Sequence, residues 1–382
     1  MSELRLVPAA LAVWAAAACC ILFGVWAALL VAGVLAACCL AAREPGQAVL
    51  TAGLGAAGAL TAAVRTRASA PASEIVGTIS GTPKQTDTGA YLVRVRVPGK
   101  PSTTPVFADE LPDGAVAGAQ VVSRGVSKES GVPGVNPFLL DGHVEVLGPP
   151  EGLAAFAHHV RSTFAAAVEA QVGEGARGLI PGMVLGDVSL QPAAEQQMYI
   201  DTGLSHLSAV SGANIAIVAT FATVAAAAIG AGLRGRIAAS AVALLVYAAL
   251  VGPEPSVLRA SVSGLVGLVA VLASRQAEPV HALCLSVVGL VLVDSDLAVH
   301  YGFALSVAAT AGIVALYPLL YRALAVTAWP DILVRALAVA VAADLATMPI
   351  VALMAGRVSL VSVGANVLVA PVVGPVTVLG LV

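Results

Sequence analysis

The side chains that could do chemistry stand inside apolar stretches of the chain. The first such group occupies residues 203–218, GLSHLSAVSGANIAIV, and contains Ser205, His206, Ser208, Ser211 and Asn214. Polar groups at membrane depth are costly to expose to lipid, so they face other helices or a water-filled path. The serines are explained equally well by close helix packing. For the bulkier His206 and Asn214, lining a water-filled path and packing against other helices are equally good explanations.

A second group of polar residues follows in later apolar stretches. Arg259 is followed one helical turn later by Ser263, and Asp344 lies in the middle of AVAADLATMPIVAL. An ionisable residue inside a membrane span is a functional-site hypothesis by default, and Arg259 is the cation best placed to pair with Asp344. Near the membrane surface, Arg259 could instead extend its charged end into water.

Asn366 stands in a span that is interrupted by Pro371, Gly374 and Pro375. Broken helices at membrane depth must face protein or a cavity. Together the two groups predict a polar channel whose lining residues are His206, Ser208, Ser211, Asn214, Arg259, Ser263, Asp344 and Asn366.

The elements that carry these residues are predicted to span a membrane. Of the 382 residues, 59% are hydrophobic and 11% are charged, whereas globular domains carry about 25% charged residues. This composition excludes a cytosolic enzyme and a secreted disulfide scaffold. A span needs about 20 apolar residues, and we predict a polytopic α-helical membrane protein of about ten spans. The predicted spans cover residues 7–23, 25–42, 47–64, 204–230, 236–252, 256–273, 279–293, 297–317, 332–355 and 359–382.

Residues 65–150 have a different composition, with apolar residues alternating between turn residues. The alternation predicts five strands, at 74–80, 90–97, 105–111, 119–126 and 143–148. Five short strands in one segment suit a small all-β barrel of the OB-like kind. After this segment, residues 151–172 show the helical periodicity of an amphipathic helix that lies on the membrane surface.

The predicted domains are three transmembrane helices in 1–64, the OB-like β domain in 65–150, the interfacial helix in 151–175 and a multi-span channel domain in 176–382. The apolar ending of the last domain is typical of a truncation within a longer protein. Loops kept in the cytoplasm are enriched in Lys and Arg, and an N-terminus inside the cell predicts an extracytoplasmic β domain. It also places the loop at 294–296 on the β-domain side. The cytoplasmic arginines are then Arg5, Arg43, Arg234, Arg236, Arg275, Arg322 and Arg335.

Nucleotide hydrolysis through a phosphate-cradling loop is excluded, because none of the three lysines follows the required glycine spacing. The five cysteines all lie in apolar runs, and no histidine accompanies either of the two adjacent Cys pairs, so neither a disulfide framework nor a metal site is expected. No cofactor is predicted.

The β domain gives a weak signal for nucleic acid. Its acidic and basic residues are balanced, which gives no net attraction for a polyanion. Local clustering of Arg94, Arg96, Arg124 and Lys128 predicts a basic groove for DNA, although a solvated strand face explains Arg94 and Arg96 as well.

Several segments occur in an order that resembles the ComEC-type competence family of DNA internalisation channels. They are GLIPGMVLGD (178–187), GLSHLSAVSGANIAIV (203–218), PSVLRASV (255–262), YGFALSVAATAGI (301–313), ADLATMPI (343–350) and NVLVAPVVGP (366–375). The resemblance implies a multi-pass inner-membrane channel that passes single-stranded DNA to the cytoplasm in natural transformation. It also implies a cytoplasmic motor or strand-binding protein and an extracytoplasmic DNA receptor as partners, and it leaves a homo-oligomer open.

The sequence departs from this family at several positions. The family often has His where Asn214 stands and Gln where Ala304 and Asp344 stand. The Asn at position 214 resembles the variant of actinobacterial members. The His-x-His-x-Asp-His cluster of the family's metallo-β-lactamase-like domain does not occur in the sequence, so we do not expect an enzyme. Two other functions stay open: a secondary transporter or exporter of a small or lipidic substrate, and an intramembrane serine hydrolase that uses Ser211 and a histidine.

Overall fold

The computed structural model describes residues 4–86, 88–207, 210–274, 278–327, 329–356, 359 and 361–381. The chain forms two compact units. The first contains Met1–His159 and Cys284–His300, and the second contains Val160–Leu283 and Tyr301–Val382.

Three apolar helices open the first unit: α1 (Val7–Phe23), α2 (Val25–Ala41) and α3 (Pro45–Arg67). Gly24, with φ of 90°, separates α1 from α2. Small residues let α3 approach both neighbours, because a Cβ at Gly55 would lie 2.7 Å from Ala32 Cβ and one at Gly58 would lie 2.8 Å from the Val13 carbonyl oxygen. Packing through small residues is typical of membrane helices.

The segment after α3 forms a closed β barrel. Its strands are β1 (Glu74–Ile79), β2 (Lys84–Gln85), β3 (Tyr91–Arg96), β4 (Thr103–Ala108), β5 (Gln120–Glu129) and β6 (Phe138–Gly148). The order is β1-β5-β6-β4-β3, and β3 pairs back with β1 to close the barrel, while the short β2 extends the sheet beside β3. The pairing of β4 with β6 is parallel. The predicted small barrel is confirmed, and its alternating apolar side chains, including Val93, Val95, Val106, Val121 and Leu140, are buried inside it.

The last strand is longer than predicted and begins at Phe138 rather than at residue 143. Asp141 and Gly142 are turn-forming residue types, but here they continue the ladder opposite Val126 and Gly125. A Cβ at Gly142 would lie 2.1 Å from the Arg124 carbonyl oxygen. The glycines therefore permit a close strand approach instead of a turn.

The remaining helices lead from the barrel to the end of the chain. They are α4 (Gly152–Gln171), α5 (Glu174–Arg177), α6 (Leu179–Leu185), α7 (Ala193–Asp201), α8 (Gly212–Ala228), α9 (Leu233–Val251), α10 (Pro255–Leu272), α11 (Pro279–Val293), α12 (Tyr301–Leu324), α13 (Asp331–Ala355) and α14 (Ser362–Leu381). Short 3₁₀ turns lie at Ser205–Leu207, Ser295–Val299 and Ala325–Thr327.

Five helices in the described part of the chain are long and apolar enough to cross a membrane: Pro45–Arg67, Leu233–Val251, Pro255–Leu272, Tyr301–Thr327 and Asp331–Ala355. Five shorter apolar helices lie at Val7–Phe23, Val25–Ala41, Gly212–Ala228, Pro279–Val293 and Ser362–Val373. Each coincides with a predicted span, but the predicted span at 204–230 begins too early. Residues Ser205–Leu207 form a 3₁₀ turn, and the helix begins only at Gly212.

The turn Ser295–Val299 is attached to the barrel and to the end of α3. Asp296 accepts a hydrogen bond from the Val135 backbone N–H at 2.6 Å through Oδ1 and another from the Ser102 hydroxyl through Oδ2. Arg65 donates to Ser295 Oγ at 2.7 Å. We call Arg65, Ser102, Val135, Ser295 and Asp296 the barrel junction. It places the loop at 294–296 on the same side of the helices as the barrel, as the arginine distribution predicts.

Candidate functional site

The second unit contains a short buried helix whose end is capped by side chains from two other helices. Helix α6 ends at Leu185, and Gly186 follows in the left-handed conformation with φ of 73°. The last carbonyls of a helix lack partners within it. Here Asn214 Nδ2 donates to the Met183 carbonyl at 2.7 Å, and the Tyr247 hydroxyl donates to the Val184 carbonyl at 2.7 Å. The carbonyl groups at the end of α6 therefore have hydrogen-bond partners although they are buried away from water.

This capping role differs from the path-lining role predicted for Asn214. Its side chain is 1% exposed, so in this conformation it faces protein rather than an open path. The amide donor is used by a backbone carbonyl, which a buried carbonyl requires. Tyr247 was missed in the sequence, although a single tyrosine in the apolar run LLVYAALV is a usable signal, because a buried tyrosine hydroxyl normally finds a partner.

A buried arginine lies at the start of α8. Arg259, on α10, is 7% exposed, and its Nε donates to Ser306 Oγ on α12 at 2.7 Å. Its Nη2 lies over Gly212, where a Cβ would be only 3.0 Å from this nitrogen. Gly212 is the first residue of α8, and Ser211 is its N-cap. We call Ser211, Gly212, Arg259 and Ser306 the arginine cluster.

Ser211 itself contacts its own helix. Its hydroxyl lies 3.3 Å from Asn214 Oδ1. The serine hydrolase hypothesis requires a hydrogen bond between Ser211 and a histidine. Such a bond is not among the contacts of the described residues, in which His206 bonds to other groups.

A second polar cluster joins the turn before α8 to helices α13 and α14. His206 is hydrogen-bonded to the Asn366 side chain and the Gly203 backbone, and it lies within electrostatic range of Asp344. Ser362 donates to Asp344 Oδ1 at 2.9 Å. We call His206, Asp344, Ser362 and Asn366 the aspartate cluster.

The predicted pair of Asp344 with Arg259 is wrong. Asp344 is bonded to the start of α14, whereas Arg259 is bonded to α12. The two side chains therefore belong to separate clusters. Ser306 and Ser362, which take the place of the expected ionic partners, carried no distinguishing signal among the many serines of the apolar segments.

Two further predicted lining residues have simpler outcomes. Ser263 donates to the Ala282 carbonyl of α11 at 3.4 Å, a helix-packing contact. Ser208, like Arg275 of the predicted topology, lies outside the described residues.

The four basic residues of the barrel do not form one groove. Arg124 pairs with Glu74 at 3.2 Å and with Glu145 at 3.4 Å, and Lys128 pairs with Asp141. Their charges are therefore locally neutralised.

Arg96 lies beside Thr78 of β1, whereas Arg124 lies beside Glu74 on the other side of the same strand. These two positions are four residues apart along β1, about 13 Å along the strand. Arg94 and Arg96 are exposed on β3. Arg96 lies close enough to Asp294 for its positive charge to stabilise the ionised form of that carboxyl group. Burial and the neighbouring Asp296 charge nevertheless raise the pKa of Asp294.

The second unit thus offers a buried guanidinium, the start of a helix and a polar cluster that contains the Asp344 carboxyl group. In the described part of the chain, no group of His, Cys, Asp and Glu side chains is arranged to hold a metal ion. The arrangement can bind an anion and can exchange hydrogen bonds with a polar ligand.

Comparison with known proteins gives one family match. A family model described as "Competence protein" matches residues 183–382. This region contains the capped end of α6, the arginine cluster and the aspartate cluster. No curated protein and no solved structure matches the chain.

Proposed function

Because the chain belongs to the competence protein family, we propose that it is a channel for the uptake of single-stranded DNA across the cytoplasmic membrane. The observation that carries this proposal is Arg259, a buried cation inside the matched region that is bonded to Ser306. A buried positive charge at membrane depth suits the passage of a phosphate backbone. A neutral substrate would gain no Coulombic attraction from this charge, and a cationic one would be repelled.

The proposed arrangement has ten spans, with the N-terminus in the cytoplasm and the β barrel outside the cell. It rests on the five long and five shorter apolar helices and on the arginine distribution. A helix of 17 residues such as α1 is about 25 Å long, close to the about 30 Å thickness of the hydrocarbon core. The 17-residue helices α1, α2 and α8 are therefore long enough for spans, and the 15-residue α11 is proposed as a span together with the residues that flank it.

The conformation described here corresponds to a closed state in this proposal. Asn214 and Arg259 are 1% and 7% exposed, so a strand cannot pass without a movement of α8 or its neighbours. The contacts that must loosen are those at the start of α8, where Ser256 donates to the Val210 carbonyl at 2.9 Å.

Transport in this proposal depends on partners. A strand that enters the cell moves negative charge towards a negative interior, at about 2.3 kcal/mol per charge per 100 mV. The chain has no phosphate-binding loop of the nucleotide-hydrolysing kind. We therefore propose a passive channel without enzymatic activity, which works with a cytoplasmic motor or strand-binding protein and with an extracytoplasmic DNA receptor.

The test is uptake of labelled DNA by a strain that lacks this gene. The deletion should abolish the nuclease-resistant, single-stranded label inside the cell and leave binding of duplex DNA at the surface intact. The wild-type gene should restore entry, as should the matched control Thr220→Ala, which alters an exposed hydroxyl bonded within α8. Entry that persists in the deletion strain would refute the channel and favour the alternative of a small-molecule transporter or exporter.

A further inference from the structure

Two sources of positive potential meet at the start of α8. The first backbone N–H groups of a helix have no acceptor within it, and the helix dipole gives this end a partial positive charge. The guanidinium of Arg259 lies directly against this end, since its Nη2 would be 3.0 Å from a Cβ on Gly212. Like charges repel, so this arrangement is unfavourable unless an anion lies between them.

The described residues do not supply that anion. The only hydrogen bond described for the Arg259 side chain goes from Nε to the uncharged Ser306 hydroxyl. The ion pairs of the described residues involve other basic side chains. Asp344, which the sequence suggested as a partner, is bonded to Ser362. Arg259 is only 7% exposed. A buried charge that has no opposite charge beside it is destabilising.

We propose that the arginine cluster is a binding site for a single phosphodiester group. The Nη groups of Arg259 and the backbone N–H groups of Gly212 and Ala213 donate to its oxygens. The Asn214 N–H is bonded to the Ser211 carbonyl, and the Ser211 hydroxyl to Asn214 Oδ1. A planar guanidinium matches the oxygens of a phosphate group, and a helix start favours the same anion. Gly212 leaves room for this arrangement, because a Cβ there would lie only 3.0 Å from Arg259 Nη2 and 3.3 Å from Ala260 Cβ.

The source of the phosphodiester rests on the proposed function, which makes it the backbone of the passing strand. A phospholipid headgroup carries the same group. A site for one backbone phosphate acts without regard to base, so it should bind oligothymidine and oligoadenine strands alike.

The experiment measures strand binding by the purified full chain in a maltoside detergent without phospholipid. Fluorescent oligothymidine and oligoadenine are titrated over a range of salt concentrations against the wild type, Arg259→Gln and Arg259→Lys. Loss of one contact from a single strand should reduce the slope of log affinity against log salt by about 0.7. We expect Arg259→Gln to weaken both oligonucleotides about tenfold with this change of slope, and Arg259→Lys to keep the slope.

Arg335→Gln is the matched control, because it removes an exposed arginine that is paired with Asp331. It should leave both affinity and slope unchanged. An oligonucleotide with uncharged methylphosphonate linkages tests the wild-type protein without any mutation. It should bind more weakly than the phosphodiester strand, and Arg259→Gln should not weaken it further.

The outcomes separate the site from the function. If the wild type binds strands and Arg259→Gln changes neither affinity nor slope, the phosphodiester site is wrong while the channel proposal stands. If the wild type binds no strand, the channel proposal fails. Native mass spectrometry of protein purified with lipid then tests the site itself. Bound phospholipid that is lost in Arg259→Gln assigns the site to a headgroup, and unchanged phospholipid overturns the site.

Discussion

At the scale of single residues, polar side chains in apolar helices serve different needs according to the partner that they meet. Asn214 has its amide donor bonded to a backbone carbonyl of α6, at 2.7 Å. Arg259 has one hydrogen bond to a hydroxyl and lies against a positive helix end. The first side chain is therefore part of the structure, whereas the second is suited to hold a ligand.

The capping role of Asn214 predicts a stability defect. Asn214→Ala leaves the buried Met183 carbonyl without its donor and should lower the free energy of unfolding by about 1–3 kcal/mol. Asn214→His keeps a donor and should recover part of this loss. Thermal unfolding of the purified protein in detergent measures both.

Thr220→Ala is the control on the same helix, since its exposed hydroxyl bonds only within α8. It should change stability by less than about 0.5 kcal/mol. Equal stability of Asn214→Ala and Thr220→Ala would contradict the capping role.

At the scale of elements, short irregular pieces fix the positions of the long helices and of the barrel. Helix α6 ends at the left-handed Gly186 inside the second unit, where Asn214 and Tyr247 donate to its last carbonyls. In the first unit, the turn Ser295–Val299 is fixed by Asp296, which contacts the barrel, and by Arg65, which contacts Ser295. Neither α6 nor this turn is long enough to be a span, yet each sets the geometry of elements around it.

The barrel junction predicts local loosening when Asp296 is changed. Asp296→Ala removes the acceptor of the Val135 N–H, so this amide should exchange with solvent at least about tenfold faster, since hydrogen bonds to charged groups are worth about 1.5–3 kcal/mol. Exchange in the barrel core, for example at Val93, should stay slow. Hydrogen–deuterium exchange of residues 132–137 and 91–96 measures the two effects.

Asp141→Ala is the matched control in the same barrel. It breaks an exposed ion pair with Lys128, and exposed pairs contribute about 0–1 kcal/mol. The junction would be refuted if Asp296→Ala left the exchange of Val135 unchanged.

At the scale of the whole molecule, the described part of the chain combines five long and five shorter apolar helices with one barrel. The barrel junction places the loop at 294–296 and the barrel on the same side of α3 and α11. This agrees with a membrane topology in which α3 and α11 both end outside the cell.

The topology predicts opposite accessibility for two exposed positions. In a cysteine-free background, Asp113→Cys on the barrel should react with a membrane-impermeant maleimide in intact cells. Arg234→Cys, at the start of α9, should react only after the membrane has been permeabilised. Reaction of Arg234→Cys in intact cells, or protection of Asp113→Cys, would overturn the proposed orientation.

The sequence by itself predicted the apolar helices and the small barrel, but not the short elements β2 and α5–α7 or the starts of β6 and α8. Apolar runs of about 20 residues reveal spans, and alternating apolar residues reveal strands, because both patterns are local along the chain. The tertiary structure decided which polar groups meet. Asp344 bonds Ser362 rather than Arg259, and Asn214 bonds a carbonyl of a helix about thirty residues away. These pairings depend on which helix faces pack together. In an apolar environment many helix faces resemble one another, so the choice among them is made only by the packing of the folded chain.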